Sequence, residues 1–323
     1  MDLKDIQRPV AKHLDLFEPY FRKSLQSPNT LLALATNYVF RRKGKRMRPL
    51  LVFLSAMAAG GVQEATYAAA TLIELLHNAS LVHDDVVDDT YTRRNQWSLM
   101  GLWGSKVAVL VGDFFLSRGM SLALEGGHYE ILSIVSKAVR DLSEGELSQM
   151  EHARRLDITE DAYYEIIRQK TATLIEACTR AGATSANGDS QTINALANYG
   201  NNLGLAFQIR DDMFDYSPET SFGKPALNDV KEQKITLPLL AALRNAPSSE
   251  SDTLLRHIRR QPKADDTADL ALHLVLSYGG MDYAQQQMRH FASLAIDSLQ
   301  QLPSSDAKTS LEQLVNFNTS RKI

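Results

Sequence analysis

The sequence predicts an all-α protein, a large bundle of long and mostly buried helices, and three observations carry that expectation. Apolar residues recur at three- and four-residue spacing through several long alanine- and leucine-rich stretches. Alternating β-type segments bounded by hairpin turns are almost absent. Glycine pairs and prolines punctuate the ends of the apolar stretches.

Taken in order, helices are predicted over 50–57, 65–81, 106–123, 131–150, 162–179, 193–216 and 268–299. Pro49 falls where the first turn of a helix tolerates it, and Gly60-Gly61 and Gly126-Gly127 end two others. Residues 185–190, 217–229, 247–251 and 261–266 read as loops. None resembles a flexible linker, so one domain over 1–323 is expected, with a less constrained C-terminal third.

A chain of 323 residues is long enough to bury a large core. Its 35 basic and 38 acidic side chains leave a charge of −3, which provides no general field for nucleic acid, so any anion must be held by a local cluster. The single cysteine, Cys178, excludes an intrachain disulfide framework and reads as a buried structural thiol. The N-terminus lacks an apolar run of signal type, and charge or glycine interrupts the longest apolar runs. A cytoplasmic protein is expected, with peripheral membrane contact left open.

Two segments echo each other, His83-Asp84-Asp85-Val86-Val87-Asp88-Asp89 and Arg210-Asp211-Asp212-Met213-Phe214-Asp215. Each closes an apolar helical run. Residues four apart share a helix face, which pairs Asp84 with Asp88 and Asp211 with Asp215. Like charges at that spacing repel, and carboxylates at a helix C-terminus also meet the negative end of its dipole. One such cluster also reads as a solvated acidic helix end; two matching ones favour a bound cation. Oxygen-only donors suit Mg²⁺ better than Zn²⁺.

Basic residues accompany these segments. The run 41–48 (RRKGKRMR) leads into an apolar helix, Arg93-Arg94 follows the first cluster, and Lys224 and Lys234 follow the second. Lys170-Thr171 lies inside an apolar helix, where a charge needs a partner. Each lone basic residue is more often solvated or structural; their joint placement points to phosphate, with metal bridging to carboxylate. Apolar helices leading into the clusters imply a hydrocarbon partner, so a diphosphate with a hydrocarbon tail fits both features.

In order along the chain come GKRMRP at 44–49, LVHDDVVDD at 81–89, RR at 93–94, VLVGDFFLSRG at 109–119, KTA at 170–172, FQIRDDMFDY at 207–216, GKP at 223–225 and KITLPL at 234–239. This set spans nearly the whole chain and resembles the trans-type polyprenyl diphosphate synthase family, nearest its bacterial long-chain (octaprenyl, heptaprenyl, solanesyl) members.

The resemblance implies a large orthogonal helical bundle of the isoprenoid synthase type around a central cavity. It implies head-to-tail transfer of an allylic diphosphate, such as farnesyl or geranyl diphosphate, onto isopentenyl diphosphate. Asp84, Asp88 and Asp211 would be the principal Mg²⁺ ligands, supported by Asp85, Asp212 and Asp215, with about three ions per site once diphosphate is bound. Arg93, Lys170, Gln208 and Lys224 would contact the allylic diphosphate, and Thr171 and Gln208 would face cationic character. Lys45, Arg48, His77 and Arg94 would hold isopentenyl diphosphate.

Product length in this family depends on bulk four and five residues before the first aspartate. Here those positions are Ser80 and Ala79, neither aromatic. Leu76 and Leu72 would line a deeper tunnel floored by Phe114 or Phe115, which implies a product of roughly C30–C50, grown until it meets close-packed side chains. A homodimer, transient membrane contact on product release and a quinone-tail destination also follow from the resemblance alone. A terpene cyclase, a non-catalytic partner subunit and a purely structural protein are the competing readings. The family pattern is broken at Leu227, Gln233 and Asn95, where glycine is usual; losing glycine restricts left-handed backbone.

Overall fold

Alanine and leucine lose little side-chain freedom in a helix, and the stretches they dominate are helices in the computed structural model of the chain. The structure describes residues 2–41, 46–93, 96–216 and 227–319. The chain is 82 % helical, which makes it all-α as the sequence predicts. Among the described residues the sheet is a two-residue ladder, β1 (Thr92–Arg93) antiparallel to β2 (Gln96–Trp97).

The helices begin with α1 (Leu3–Gln7), α2 (Ala11–Ser24), α3 (Thr30–Val39), α4 (Met47–Ala59) and α5 (Glu64–Val87). After the ladder come α6 (Leu99–Trp103), α7 (Ser105–Glu125), α8 (Tyr129–Arg155), α9 (Glu160–Ile167), α10 (Thr173–Ser185) and α11 (Ser190–Asp215). The rest are α12 (Asn228–Lys231), α13 (Leu237–Asn245), α14 (Ser248–Arg260), α15 (Asp265–Ser277), α16 (Gly280–Ser298) and α17 (Asp306–Thr319). Two compact units divide the chain: Met1–Val139 with Ala177–Ala197 and Leu299–Gln313, and Arg140–Glu176 with Asn198–Ser298 and Leu314–Ile323.

Two of the predicted helices are divided in the structure. The run predicted over 162–179 is α9 and α10 joined by a π-helical turn at Arg168–Ala172. A π turn inserts a residue without ending the helix, so apolar periodicity passes through it. The run predicted over 268–299 is two helices, because Gly279 takes φ +72° between α15 and α16. Helix α7 is 21 residues of mean hydropathy 1.6 over its best window, long and apolar enough by composition to cross a membrane.

In the first unit α7 packs along α5. Gly112 and Gly119 make that approach possible: a Cβ on Gly112 would lie 2.2 Å from the His83 ring, and one on Gly119 would lie 2.8 Å from Leu72 Cδ1. Leu50, Phe53 and Leu54 of α4 and Leu72, Ile73 and Leu75 of α5 are fully buried, each contributing about 1.5–3 kcal/mol. An aromatic group extends this core, with Phe40 5.3 Å from Phe115 and 4.8 Å from Phe21.

In the second unit Tyr216, Val230, Leu239, Leu254, Ile258 and Val275 form a buried apolar cluster. The π turn sits against α11 at Gly204, where a Cβ would lie 2.5 Å from Ala172 Cα. Backbone cannot yield as a side-chain tip does. Gly204→Ala is therefore expected to destabilise the protein by about 1–3 kcal/mol and lower its melting temperature; an unchanged urea midpoint would mean the contact relaxes freely.

Candidate functional site

In the first unit the acidic segment ends α5. Asp84 lies in the last turn, half-buried, and Asp88 is the exposed C-cap, its N–H donating 2.8 Å to the Asp84 carbonyl. Asp89 takes φ +48° while Thr90 N–H bonds the Asp85 carbonyl (2.8 Å) and Asp89 N–H the Val86 carbonyl (3.4 Å). This is a Schellman stop with aspartate in the left-handed position. It closes the helix just where Asp84 and Asp88 share a face. Asp85 is buried, and its Oδ1 accepts 2.7 Å from Arg93 Nε. Burial raises the Asp85 carboxyl above the usual range, and Arg93 opposes that shift.

Further back along α5, His77 is half-buried, and Ser80 Oγ donates 2.9 Å to its carbonyl. Glu74, three residues before His77, is a participant that sequence reasoning missed. Burial pushes its carboxyl up, while Arg48, an Asn78 hydrogen bond and Arg46 pull it down. The same neighbourhood holds Cys178, whose thiol burial pushes up to about 12, with Arg48 opposing. The signal was available: a glutamate on the apolar face of a core helix needs a cation. Leu72, Leu76, Ala79 and Phe115 are buried, while Ser80 and Phe114 are half-buried.

In the second unit the π turn presents Lys170 and Thr171. Lys170 Nζ donates 2.9 Å to Glu146 Oε2 and 2.9 Å to Gln149 Oε1, which are the partners its burial demanded. Gly145 lets α8 approach, since a Cβ there would meet Lys170 N at 3.1 Å. Thr171 Oγ1 donates 2.6 Å to Gln208 Oε1, Gln208 Nε2 donates 2.8 Å to Asp212 Oδ1, and Tyr163 Oη donates 2.6 Å to Asp212 Oδ2.

The three aspartates of this segment differ in setting. Asp211 is exposed and Asp212 is buried at 4 % exposure. Asp215 accepts backbone N–H bonds from Asn228 (3.0 Å) and Asp229 (2.9 Å) at the start of α12. Burial, then the Asp229 charge, drives the Asp212 carboxyl well up. Burial, then Asp215, raises Asp229 to about 7. Lys234 Nζ donates 2.5 Å to Glu232; that pair lies within the electrostatic reach of Lys170 and Glu146.

Lys45, Arg94, Lys224 and Asn95 lie outside the described residues. Leu227 and Gln233 both take φ +61°, so the left-handed backbone persists where the family pattern has glycine. The strain at a non-glycine residue is about 1–2 kcal/mol; burial of Leu227 in the apolar cluster offsets it by about 1.5–3 kcal/mol.

The sequence pattern of the polyprenyl synthetase family matches residues 29–275. The chain belongs to the polyprenyl synthetase family. It is a prenyltransferase. It is 35 % identical to a short chain isoprenyl diphosphate synthase of Methanothermobacter thermautotrophicus, over 100 % of this chain and 99 % of the relative. It is 33 % identical to an octaprenyl diphosphate synthase of Haemophilus influenzae, over 99 % and 98 %. Among solved structures, a Caulobacter crescentus polyprenyl synthase complexed with calcium and isoprenyl diphosphate superposes with TM-score 0.91 at 33 % identity, covering 100 % of this chain and 98 % of that one. Structural neighbours of this kind have the all-α isoprenoid synthase fold.

Among the described residues, no group of three or more His, Cys, Asp or Glu converges as a ready-made metal cluster. That suits a family whose ligand brings phosphate oxygens, because Mg²⁺ keeps waters and needs only one or two carboxylates. Asp84 with Asp88 in the first unit, and Asp211 in the second, are the carboxylates that would hold such an ion.

Asp229 yields a pH prediction for the metal-free protein. Its folded-state pKa of about 7 exceeds the unfolded value of about 3.9. Between those values the unfolded chain ionises while the folded one keeps its proton, so stability falls as pH rises across that window. Asp229→Asn is expected to flatten that slope; melting curves at stepped pH with an unaltered slope would refute the assignment.

Proposed function

We propose that the chain condenses isopentenyl diphosphate with an allylic diphosphate, such as farnesyl or geranyl diphosphate, in a divalent-metal-dependent, head-to-tail reaction. The product is a long all-trans polyprenyl diphosphate of roughly C30–C50, its length limited by close-packed side chains. The observation that carries this reading is the Lys170–Thr171–Gln208 arrangement beside Asp211, a cation and neutral oxygen dipoles held next to an acidic helix end.

Each acidic segment is read as binding metal and diphosphate, within one functional domain; the family match over 29–275 draws on both compact units. Bound Mg²⁺ would neutralise charge on the departing diphosphate, held through Asp84, Asp88 and Asp211. Lys170 and Arg93 add fixed positive charge for diphosphate. Arg48 and His77 bind the second diphosphate and present its alkene. Thr171 and Gln208 direct oxygen dipoles at the allylic cation, and the side chains around it exclude water that would quench it. No side chain is assigned as the base, since the released diphosphate is the favoured proton acceptor.

A long product is supported by the absence of bulk at Ala79 and Ser80 and by the likeness to an octaprenyl diphosphate synthase. We read the enzyme as a cytoplasmic homodimer that touches the membrane when it releases product for a quinone tail. Helix α7 supports the dimer, since Leu110 is 67 % and Leu124 51 % exposed on a helix whose best apolar window is only 33 % buried.

Mass spectrometry of products from farnesyl diphosphate, isopentenyl diphosphate and Mg²⁺ tests the reading. A ladder ending at one long all-trans diphosphate is expected, abolished by chelator. Cyclised hydrocarbons, or no elongation by folded, metal-replete protein, would sink it. Ser80→Phe is expected to move the ladder's end to a shorter product while leaving the first condensation within about threefold of the parent rate, because half-buried bulk blocks the tail and not the reacting atoms. An unchanged product would remove Ser80 from the tail's path.

A further inference from the structure

The Thr171–Gln208–Asp212–Tyr163 chain has a direction, and its direction decides which charge Thr171 presents. A side-chain amide has two ends of nearly equal shape, one donating and one accepting. Gln208 lies one turn before Asp212 on α11, where both Asp212 oxygens accept, Oδ1 from Gln208 and Oδ2 from Tyr163. Nε2 must turn to Asp212 Oδ1 (2.8 Å), which leaves Oε1 for Thr171. The Thr171 hydroxyl then spends its proton on Gln208 Oε1 (2.6 Å), and its remaining lone pairs are the negative end of the chain. A flipped amide would donate to Thr171 and turn the hydroxyl proton outward, placing a positive dipole end where a cation forms. Tyr163, 2 % exposed, holds the other carboxylate oxygen at 2.6 Å.

We propose that Asp212 and Tyr163 are positioning residues that lock the Gln208 amide so that Thr171 presents oxygen lone pairs to the allylic cation, and that Asp212 is not a metal ligand. Both Asp212 oxygens are engaged by protein donors in a buried setting, whereas its neighbour Asp211 is exposed. The inference rests on the preceding reading that Thr171 and Gln208 face cationic character. It adds Tyr163, which lies in neither acidic segment and carries no charge of its own. Gly204 and the π turn supply the close approach that brings Thr171 within reach of α11.

Asp212→Asn, Asp212→Ala and Tyr163→Phe separate the possibilities, with Asp211→Asn as the metal-ligand control. Asparagine offers a donor as well as an acceptor and no longer fixes the amide, so kcat is expected to fall about 3- to 10-fold. Alanine frees the amide to flip, and kcat is expected to fall about 10- to 100-fold, less than loss of a direct dipole. KM for isopentenyl diphosphate stays within about threefold, since uniform binding is untouched. Tyr163→Phe is expected to cost kcat about 3- to 10-fold.

Calorimetry of Mg²⁺ with inorganic diphosphate provides the readout besides turnover. Parental affinity is expected in both Asp212 variants, with affinity lost in Asp211→Asn. If Asp212→Asn loses kcat and Mg²⁺–diphosphate affinity together, Asp212 is a metal ligand and the proposal falls. If Asp212→Ala lowers only the melting temperature and keeps kcat, the chain is structural and the proposal falls as well. Should Asp212→Ala fail to fold, the near-isosteric Asp212→Asn and Tyr163→Phe carry the kinetic test. A parent protein that makes no elongated product refutes the prenyl-transfer reading and the cation-facing role with it, while calorimetry still decides whether Asp212 binds metal.

Discussion

A carboxylate brought into a helical core must find donors there or lose its charge, and that constraint shapes both acidic helix ends. Continuum cost for an unpaired buried ion runs to several kcal/mol, more than a single buried leucine returns at about 1.5–3 kcal/mol. The chain meets the demand differently at the buried Asp85 and Asp212 and at the half-buried Asp215. Asp85 takes the Arg93 guanidinium, Asp212 takes Tyr163 and Gln208, and Asp215 takes the first N–H groups of α12. Asp88 and Asp211 are exposed and Asp84 is half-buried, and these three are the ones we propose for a metal and its diphosphate. Burial and donor contacts therefore separate the side chains that organise the protein from those left open to a ligand.

Close backbone approach is the second requirement, and glycine supplies it at points where charge is placed. Gly145 admits α8 to the π turn, so that Glu146 and Gln149 reach Lys170. Gly204 admits α11 to the same turn, so that Gln208 reaches Thr171. The π turn itself changes which side chains face these neighbours, because an extra residue rotates everything after it relative to a regular helix. Lys170 and Thr171 thus share a short segment yet address different partners.

At two described positions where the family pattern has glycine, the backbone adopts the left-handed geometry without it. At Leu227 the apolar cluster of the second unit holds the residue in place, its burial comparable to or larger than the strain. At Gln233 a side-chain hydrogen bond to the Ile258 carbonyl (3.0 Å) anchors the strained turn. The geometry at either end of α12 is held by packing and a hydrogen bond where glycine would have allowed it through freedom.

Much was legible in the sequence because it is local. Helical periodicity showed the all-α class, the spacing of Asp84 with Asp88 and Asp211 with Asp215 showed paired carboxylates on shared faces, and a lysine inside an apolar helix announced a partner. Gly279 and the π turn escaped, since one helix break and one inserted residue barely disturb an average over many turns. Glu74, Glu146 and Tyr163 escaped for a different reason: each matters through a residue distant in sequence, or through burial that no spacing reveals. The amino-acid sequence by itself determined which chemistry is present, oxygen donors, cations and apolar helices, because residue type fixes charge and hydrogen-bonding capacity. Only the tertiary structure decided which of those groups are spent on one another, because desolvation and donor geometry are properties of the packed neighbourhood and not of the chain.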